Sequence, residues 1–342
     1  MDFDNWINND LDSSMKNIVF TICSNNYLAQ AKVLSDSVFK FSREFYDFYI
    51  VLCDEYSEKI DYSEFHANFV LAKDLKIGNF DWMTRYYNII ELNTAIKPFA
   101  FKYLIAEHSP EYIYYLDPDT CTYCSLMAIE KEMDTDVSIL LTPHSLAPLP
   151  FDGGRPTDNI FLNNGIYNLG FLGIRPDSES EKMLDWWCDF LSEHCLDDKK
   201  NGLFVDQLPM ELVPLFFKNV KVSHHKGLNV AYWNLHERSI AHDGHNYLVD
   251  EKYPLVFFHF SSYDLNVPDD ICRHSTRISL QKNPILKSLF KEYCEKMEQS
   301  HDSQYKLIKC IYLQTNKPIW DILLKKTSSA LRLMADFLSP EK

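Results

Sequence analysis

The sequence predicts an α/β fold, in which a largely parallel sheet is flanked by helices. Runs of strand-forming residues alternate with segments of helical spacing along the first half of the chain, and such alternation is typical of βαβ units. One of these runs ends abruptly in two aspartates around a proline, within "EYIYYLDPD" at residues 111–119. In such sheets ligands bind at the carboxyl ends of the strands, so the functional site is expected there.

The first half contains five predicted strands and two clear helices. The strands are residues 17–23, 47–54, 67–72, 112–116 and 136–142. The first helix lies within 25–41, where one face carries the apolar residues Leu28, Ala31, Leu34, Val38 and Phe41. The second helix covers 93–108, with Asn93 or Thr94 as its expected cap and Pro98 near its first turn, where proline is tolerated.

The second half is less regular. Residues 142–159 form a long loop rich in Pro and Gly, and loops of this length are usually functional or mobile. The later elements are a strand at 165–176, a helix at 180–195, a strand at 253–262 and helices from about residue 284. The expected domains are a tail at 1–15, a main domain at 16–280 and a C-terminal helical region at 281–342.

Residues 318–338 have apolar side chains at helical spacing, with three basic and two acidic residues among them. We expect this segment to pack on the main domain or on another copy of the chain in a homo-oligomer. The alternative is a helix at a membrane surface, but such helices usually carry a more strongly basic polar face.

Composition excludes some classes of function. The formal net charge of −15 disfavours a duplex nucleic-acid binder, which needs a basic surface to release counterions. Nine cysteines are scattered along the chain, and an odd, scattered set is no disulfide framework. The polar, acidic first 15 residues do not resemble a secretory signal, and no apolar run approaches a membrane span. We therefore expect a cytoplasmic protein, which could also bind peripherally at the inner face of the membrane.

Asp117 and Asp119 are the first candidates for chemistry. They stand on either side of Pro118, whose ring biases the preceding residue toward an extended backbone. Two carboxylates at a strand end suit Mg²⁺ or Mn²⁺ bridging substrate phosphates, although Asp and Pro are also common turn residues. His259 interrupts the apolar run "LVFFHFSS", and it could be either a third metal ligand or a hydrogen-bonded core histidine.

Other polar groups allow more than one interpretation. Asp206 and Gln207 stand at a probable helix start, so they could cap it or hold substrate hydroxyls. The asparagines in "LNNGIYNLGF", Asn168 among them, could bind a sugar or form turns. Cys121 and Cys124 form a C-x-x-C, but a zinc site usually needs a second pair at suitable spacing. The sequence contains no P-loop, dinucleotide-binding or nucleophile-elbow motif.

Taken together, these segments resemble the GT-A glycosyltransferases, and "YLDPD" is similar to their D-x-D motif. The resemblance is greatest to a bacterial group of nucleotide-diphospho-sugar transferases. The segments that carry it, in order, are "IKPFAFKYL", "YLDPD", "LLTPH", a Pro-rich loop, "GIYNLGFLGI", "WW", "GLFVDQ", "NVAYWNLHER" and "FFHFS". It implies a Rossmann-like mixed sheet with a C-terminal helical appendage, and an enzyme that moves a sugar, expected from a UDP-sugar, to a glycan or glycolipid in bacterial surface polysaccharide synthesis.

The resemblance also implies roles for individual residues. Asp117 and Asp119 would hold Mn²⁺ or Mg²⁺ with the diphosphate, and His259 would be the third protein ligand, as in the related family 8 transferases. The residues implied at the nucleoside are Thr21, Ser24, Asn25 and Tyr27, with Lys97 at the phosphates. Those implied at the donor sugar are Asn168, Asp206 and Gln207, and those on the acceptor side are Asn229, Trp233 and Asn234.

Two further points concern the stereochemistry of the sugar transfer and one position at which this sequence differs from the family pattern. An inverting transferase needs a carboxylate base within reach of the acceptor hydroxyl, and Asp206 and Asp158 are the candidates. A retaining enzyme, like those of family 8, often has no obvious base, and we expect retention. The departure is Ser262, where such enzymes often have glycine after "HFS". The serine side chain is expected to hinder the close approach of the backbone to a phosphate that glycine allows.

Two other classes of function share some of these features. A nucleotidyltransferase that makes the nucleotide sugar has a similar sheet and metal-binding aspartates, but it normally carries a basic, Gly-rich loop after the first strand, and "CSNNYLAQ" has neither Gly nor Arg. A non-catalytic sugar- or nucleotide-binding module would not need Asp117, Asp119 and His259 together. Hydrolysis of nucleotide sugars in the presence of metal would distinguish the three.

Overall fold

Residues 16–313, which the computed structural model describes, fold around a mixed seven-stranded sheet. The strands are β1 (Asn17–Cys23), β2 (Tyr46–Leu52), β3 (Asn68–Leu71), β4 (Ile113–Leu116), β5 (Thr120–Thr122), β6 (Ile139–Pro143), β7 (Tyr167–Ile174), β8 (Asp197–Asp198), β9 (Leu203–Phe204), β10 (Val220–Val222), β11 (Ile240–His242), β12 (Tyr247–Val249), β13 (Tyr253–Pro254) and β14 (Phe257–His259). The predicted tail at 1–15 and the segment at 318–338 lie outside the described residues.

Helices cover both faces of this sheet. The α-helices are α1 (Leu28–Ser42), α2 (Phe80–Tyr86), α3 (Ile89–Ala95), α4 (Lys97–His108), α5 (Met127–Glu130), α6 (Asp158–Asn164), α7 (Ser178–His194), α8 (Val213–Phe216), α9 (Pro284–Gln299) and α10 (Asp302–Tyr305). Short 3₁₀ helices are Asn25–Tyr27, Tyr62–Glu64, Ala72–Leu75, Lys199–Asn201, Leu208–Leu212, Leu280–Lys282 and Ile311–Leu313. None of the helices within residues 16–313 has the length and apolar character needed to cross a membrane.

The sheet has the strand order β10-β6-β7-β4-β1-β2-β3. All its neighbouring pairs are parallel except those of β7, which runs antiparallel to β4 and to β6. The predicted α/β class, a mixed sheet flanked by helices, is therefore confirmed. Three smaller two- or three-stranded sheets, among them β5 paired with β14, lie beside it in the described part of the chain.

Alternation along the buried strands sends side chains into two cores. In β1, Val19 enters the core shared with α1 and α9, and Phe20 enters the core shared with α4 and α7. Such strands, covered on both faces, are typical of parallel sheets. The apolar face of α9 belongs to the first core, where the rings of Phe260 and Tyr293 stack at 3.7 Å between centroids. Residues 284–299 thus pack on the main core, while the domain boundary at 280/281 stays a prediction.

The predicted helix at 93–108 is two helices, α3 and α4, so the prediction that Asn93 or Thr94 caps it was wrong. The cap is Asn88, whose side chain accepts hydrogen bonds from the amides of Ile90 and Glu91, while the Glu91 carboxylate accepts one from the Asn88 amide. This reciprocal capping box satisfies amides that have no partner within the helix. Pro98 lies in the first turn of α4 as predicted.

The predicted strand at 253–262 is also shorter than expected, because the chain passes from one small sheet to another. β13 pairs with β12, and β14 pairs antiparallel with β5. In between, the amide of Val256 bonds to Gly227 O rather than to a strand neighbour in either sheet. The β5–β14 register places His259 opposite Thr120, directly beside the end of β4.

Phe101 provides a test of how α4 is held on the sheet. Its ring is fully buried and meets Phe20 edge-to-face at 4.7 Å. We expect Phe101→Ala to lower the free energy of unfolding by about 3–5 kcal/mol, because it leaves a cavity between helix and sheet. Urea denaturation measures this, with the exposed Glu107→Ala on the same helix as control, expected within about 0.5 kcal/mol of the wild type. Equal losses in the two variants would contradict the assignment.

Candidate metal centre and adjoining cleft

Three side chains that could hold a metal ion meet at the carboxyl end of β4. Asp117, Asp119 and His259 each offer a ligand atom, and these atoms all lie within 4.8 Å of one another. His259 Nε2 lies 3.0 Å from Asp119 Oδ1 and 3.6 Å from Asp117 Oδ2. The structure therefore brings together the three residues predicted as ligands, although His259 is 140 residues from Asp119 in sequence.

The backbone around Pro118 fixes the two carboxylates. The amide of Asp117 donates to Gly170 O on β7, and both the amide and the hydroxyl of Thr120 donate to Asp117 O. On the other side, the amide of Phe260 donates to Asp119 O. A tight turn is thus tied to β7 and to the end of β14, so the turn interpretation of this motif is confirmed, and the turn leaves both carboxylates placed where they could hold a metal ion.

Gly170 is required by the close approach of His259. A Cβ atom at position 170 would lie 2.4 Å from His259 Cε1 and 2.6 Å from His259 Nδ1, well inside van der Waals contact. The imidazole therefore packs on the bare backbone of β7, where any side chain would displace it. Sequence analysis did not select Gly170 as a functional residue, although it stands in the quoted "YNLGF" segment.

The ligand set fits a hard divalent cation. Two carboxylates and an imidazole are a donor set that Mn²⁺ accepts, and neighbouring ligands on an octahedral ion with bonds of about 2.1 Å stand roughly 3 Å apart. The distances from His259 Nε2 to the two carboxylates are near that value. Burial lowers the pKa of His259, but the charges of Asp119 and Asp117 outweigh it and raise that pKa above its usual value, which shows how strongly the site attracts positive charge.

A cleft of about 330 Å³ opens from the two aspartates. One wall is apolar, with Ile22 and the exposed Ile90, and Tyr27 lies at the rim. The polar groups that line it come from the end of β1 and from α3, namely Ser24, Asn26, Asn93 and Thr94. Its size falls in the range of small-molecule sites, and its few polar groups on an apolar wall are typical of them.

Tyr115 connects the cleft to a buried ion pair. Its hydroxyl donates to Asp117 Oδ1 at 2.6 Å, and burial together with Asp117 raises the pKa of Tyr115 well above its usual value, so the phenol stays protonated. The Lys97 ammonium lies 4.0 Å from the centre of this ring. Lys97 Nζ donates to Asp206 and to Leu169 O, and both side chains of the pair are almost fully buried.

The structure thus turns Lys97 and Asp206 toward each other. Burial raises the pKa of Asp206, with Lys97 opposing the shift. The expectation that Asp206 starts a helix as its cap was wrong, since the cap of the following 3₁₀ helix is Gln207 and its side chain makes no capping bond. Gln207 Oε1 instead accepts from the Leu169 amide and from Asn168 Nδ2.

The residues implied on the acceptor side lie behind His259 rather than on open surface. Asn229 and Asn234 are fully buried, and Trp233 is 3% exposed. Asn234 binds the Ala231 amide and Asn229 O, and the Trp233 ring meets His259 edge-to-face at 5.2 Å. Their contacts support the imidazole from the side away from the cleft.

The remaining predicted residues are divided between the cleft and the interior. Ser24 and Tyr27 line the cleft, while Thr21 is fully buried. Asn25 is buried and bonds to Asp54, Glu55 and Tyr62. Asp158 accepts from the Leu149 amide at the edge of the long loop. Cys121 is buried in β5 and Cys124 is partly buried, both as free thiols.

Some residues of the site were missed by sequence reasoning. Asn93 and Thr94 were interpreted as helix caps, yet they face the cleft from α3. Tyr115 was interpreted as a strand residue alone, and His144 was not selected at all. The position of these residues along the chain could have identified them. Asn93 and Thr94 precede Lys97 by a few residues, and His144 follows β6 at the same end of the sheet.

Comparison with known proteins gives likenesses at low sequence identity. No family model matches the chain. YfnF, an uncharacterised protein of Bacillus subtilis strain 168, is 26% identical over 202 residues, which are 58% of this chain and 65% of that protein. The match therefore spans less than two thirds of that relative's own length.

Three similar solved structures are glycosyltransferases. The galactosyltransferase LgtC, in complex with donor and acceptor sugar analogues, is 15% identical over 82% of this chain and 95% of that one, with a TM-score of 0.45. GlyE of Streptococcus pneumoniae TIGR4 is 15% identical over 85% of this chain and 64% of that one, with a TM-score of 0.45. The bifunctional glycosyltransferase WbbM is 11% identical over 87% of this chain and 52% of that one, with a TM-score of 0.47.

Gly170 provides a test of the metal centre. We expect Gly170→Ala to weaken Mn²⁺ binding by at least about tenfold, because the new methyl group displaces His259. Isothermal titration with Mn²⁺ measures this, and circular dichroism checks that the protein is folded. The control is Gly78→Ala, since a Cβ at Gly78 meets nothing within 4 Å. Unchanged Mn²⁺ affinity in a folded Gly170→Ala protein would show that His259 is not a ligand.

His144 provides a test of pH dependence. Burial lowers the pKa of His144 to about 4, below the ordinary value of about 6.5 that the unfolded chain keeps. The unfolded state therefore binds the proton first as the pH falls. Stability that is complete above pH 6.5 is lost toward pH 4, by at most about 3 kcal/mol.

The measurement is urea denaturation of metal-free protein at pH 7 and pH 4.5. The wild type should lose about 2 kcal/mol more between these pH values than His144→Gln, which cannot titrate. His259 is a nearby titratable group whose charge helps to lower the pKa of His144, so the difference between the two proteins includes the coupling of the two histidines. Parallel pH profiles would contradict the buried, neutral state of His144.

Proposed function

We propose that this protein is a metal-dependent glycosyltransferase that takes a sugar from a nucleoside-diphosphate donor. The observation that carries the proposal is the group Asp117, Asp119 and His259 at the mouth of a cleft of about 330 Å³. Metal held by carboxylates at the carboxyl end of a sheet commonly serves to bind phosphates. The sequence resemblance to nucleotide-diphospho-sugar transferases, quoted above, supports the same class.

The cleft suits the nucleoside part of such a donor. Its apolar wall of Ile22 and Ile90 offers a surface for the face of a base, and Asn26, which lines the same cleft, offers a polar side chain to its edge or to the ribose. Asp117 and Asp119 line the same cleft, so a ligand lying in it would place its diphosphate at the metal. A UDP-sugar is the donor that we propose from the resemblance.

Asp117, Asp119 and His259 would hold Mn²⁺ or Mg²⁺. Bound there, the ion neutralises the charge that develops on the departing nucleoside diphosphate. Tyr115 orients Asp117 through its hydroxyl, and the turn around Pro118 keeps both carboxylates at the mouth of the cleft. The protein thus supplies a preorganised site in which the donor is aligned before the acceptor arrives.

The stereochemistry of the transfer follows from the resemblance and from the state of Asp206. An inverting mechanism needs a carboxylate free to take the proton of the acceptor hydroxyl. Asp206, one of the two candidates, is buried and bound to Lys97. We therefore propose that the donor sugar is transferred with retention, and that Lys97 positions Asp206 beside Gln207.

The acceptor that we propose is a glycan or a glycolipid, as the resemblance implies for bacterial surface polysaccharide synthesis. Phe151 in the long loop and Leu162 in α6 are exposed apolar residues. The end of α6 lies beside Gln207, whose Nε2 donates to Asn164 O. We propose that these two exposed residues contact the acceptor.

Asp119→Asn tests the proposal, since an amide removes the charge of a ligand and keeps its shape. We expect a loss of roughly a hundredfold or more in Mn²⁺-dependent hydrolysis of the cognate donor, because the metal is lost from the site. The assay offers UDP-, GDP-, dTDP- and CMP-sugars without acceptor and measures release of the nucleotide. Asp136→Asn, at an exposed position, is the control and should behave as the wild type.

Two outcomes would count against the proposal. One is a folded Asp119→Asn protein with wild-type activity, which would remove the aspartate from the mechanism. The other is formation of a nucleotide sugar from a nucleoside triphosphate and a sugar phosphate, which would identify a nucleotidyltransferase instead.

A further inference from the structure

We propose that His144 is a positioning residue for the metal centre, which it controls through a buried chain of two amides ending at His259. The chain runs from His144 through Asn168 and Asn229 to the imidazole of His259. This inference rests on the proposed metal site and extends it to a residue that does not touch the ion.

The first link is the direction of the His144 ring. Its Nδ1 lies 3.3 Å from Ile166 O, and a carbonyl oxygen can only accept, so Nδ1 carries the proton. The other nitrogen, Nε2, is then an acceptor in the neutral ring. The ring stacks on Phe161 at 5.0 Å and meets Trp233 edge-to-face at 5.2 Å, which holds this orientation.

The second link is the orientation of the Asn168 amide. Asn168 Nδ2 lies 3.2 Å from His144 Nε2 and donates to it, and it also donates to Gln207 Oε1 at 3.3 Å. Its Oδ1 must then face the other way, where it accepts from the Gly170 amide and from Asn229 Nδ2 at 3.0 Å. A rotated amide would put Nδ2 against these two donors, so the acceptor on His144 and the Gly170 amide hold the same orientation.

The third link connects Asn168 to the predicted metal ligand His259 through Asn229. Asn229 Nδ2 donates to Asn168 Oδ1 and to Thr142 Oγ1 at 2.9 Å, which leaves Asn229 Oδ1 toward His259 Nδ1 at 3.4 Å. The imidazole therefore keeps a proton on Nδ1, and Nε2, on the side of Asp119, is the nitrogen left to bind a metal ion. Only that tautomer binds a metal through Nε2.

Burial makes the chain rigid. His144, Asn168, Asn229 and His259 are all less than 9% exposed, so water cannot replace a lost partner at little cost. Asn229 is also held by its backbone, which has a left-handed φ of 50° and whose carbonyl accepts from Asn234 Nδ2. A change at His144 is thus expected to reach His259 through the amides rather than be absorbed between them.

The experiment compares two substitutions at one position. His144→Phe keeps the aromatic contacts and removes the acceptor, while His144→Gln keeps an acceptor near the place of Nε2. We expect the dissociation constant for Mn²⁺ to rise about tenfold in His144→Phe and to stay within about threefold of the wild type in His144→Gln. Electron paramagnetic resonance of free Mn²⁺ measures binding directly, without nucleotide sugar and without turnover.

A second variant separates positioning from folding. We expect Asn168→Leu to weaken Mn²⁺ binding as His144→Phe does, and the double variant to add no further loss, since both interrupt the same chain. If His144→Phe does not fold, wild-type Mn²⁺ affinity in folded Asn168→Leu overturns the proposal by itself. Additive losses in the double variant would also overturn it.

His259→Ala distinguishes failure of this inference from failure of the proposed metal site. If His259→Ala binds Mn²⁺ like the wild type, the metal site itself is wrong and the inference fails with it. If His259→Ala loses binding while folded His144→Phe and Asn168→Leu retain it, the metal site stands and the positioning role is rejected.

Discussion

The structure depends on holding two carboxylates of like charge side by side at the end of one strand. Asp117 and Asp119 would repel each other if they were free to move, and the turn between them is tied down on both sides, to Gly170 O on β7 and to the Phe260 amide after β14. His259 offsets the charge from a position that exists only because β5 and β14 pair with Thr120 opposite His259. The bare backbone of Gly170 then leaves room for the ring. The mixed sheet, the small two-stranded sheet and the glycine thus serve the same local arrangement.

Behind this arrangement, several buried polar side chains are matched to partners within the protein. Asn168, Asn229 and Asn234 use their amides on one another and on the backbone, and Lys97 uses its charge on Asp206. Buried polar groups are costly unless hydrogen-bonded, and a satisfied network defines one arrangement of side chains. Side chains that look suited to binding sugar hydroxyls are therefore engaged within the protein, and other polar groups, from α3 and the end of β1, line the cleft.

Much of the fold could be predicted from local pattern. The strands near 17, 47, 113 and 167 and the helices near 28 and 180 were expected at nearly the observed places, because apolar period and breaker residues act within a few residues. The errors occurred where a distant partner decides the outcome. The first of the two helices within 93–108 begins earlier than predicted, because Asn88 and Glu91 form a reciprocal cap. The strand at 253–262 is divided because its two halves pair with strands of two different sheets.

By itself, the sequence determined the α/β class, the end of the sheet where the candidate metal centre lies and the two aspartates there, since alternation of elements and the run "YLDPD" are local features. His259 as a third ligand came from family resemblance, because no spacing along the chain shows that residues 140 positions apart are neighbours. Only the tertiary structure decided that Lys97 and Asp206 pair, that Asn93 and Thr94 face the cleft, and that His144 reaches His259 through two amides. The physical reason is that hydrogen bonds and ion pairs among buried side chains depend on which strands are adjacent, and adjacency is a property of the folded sheet.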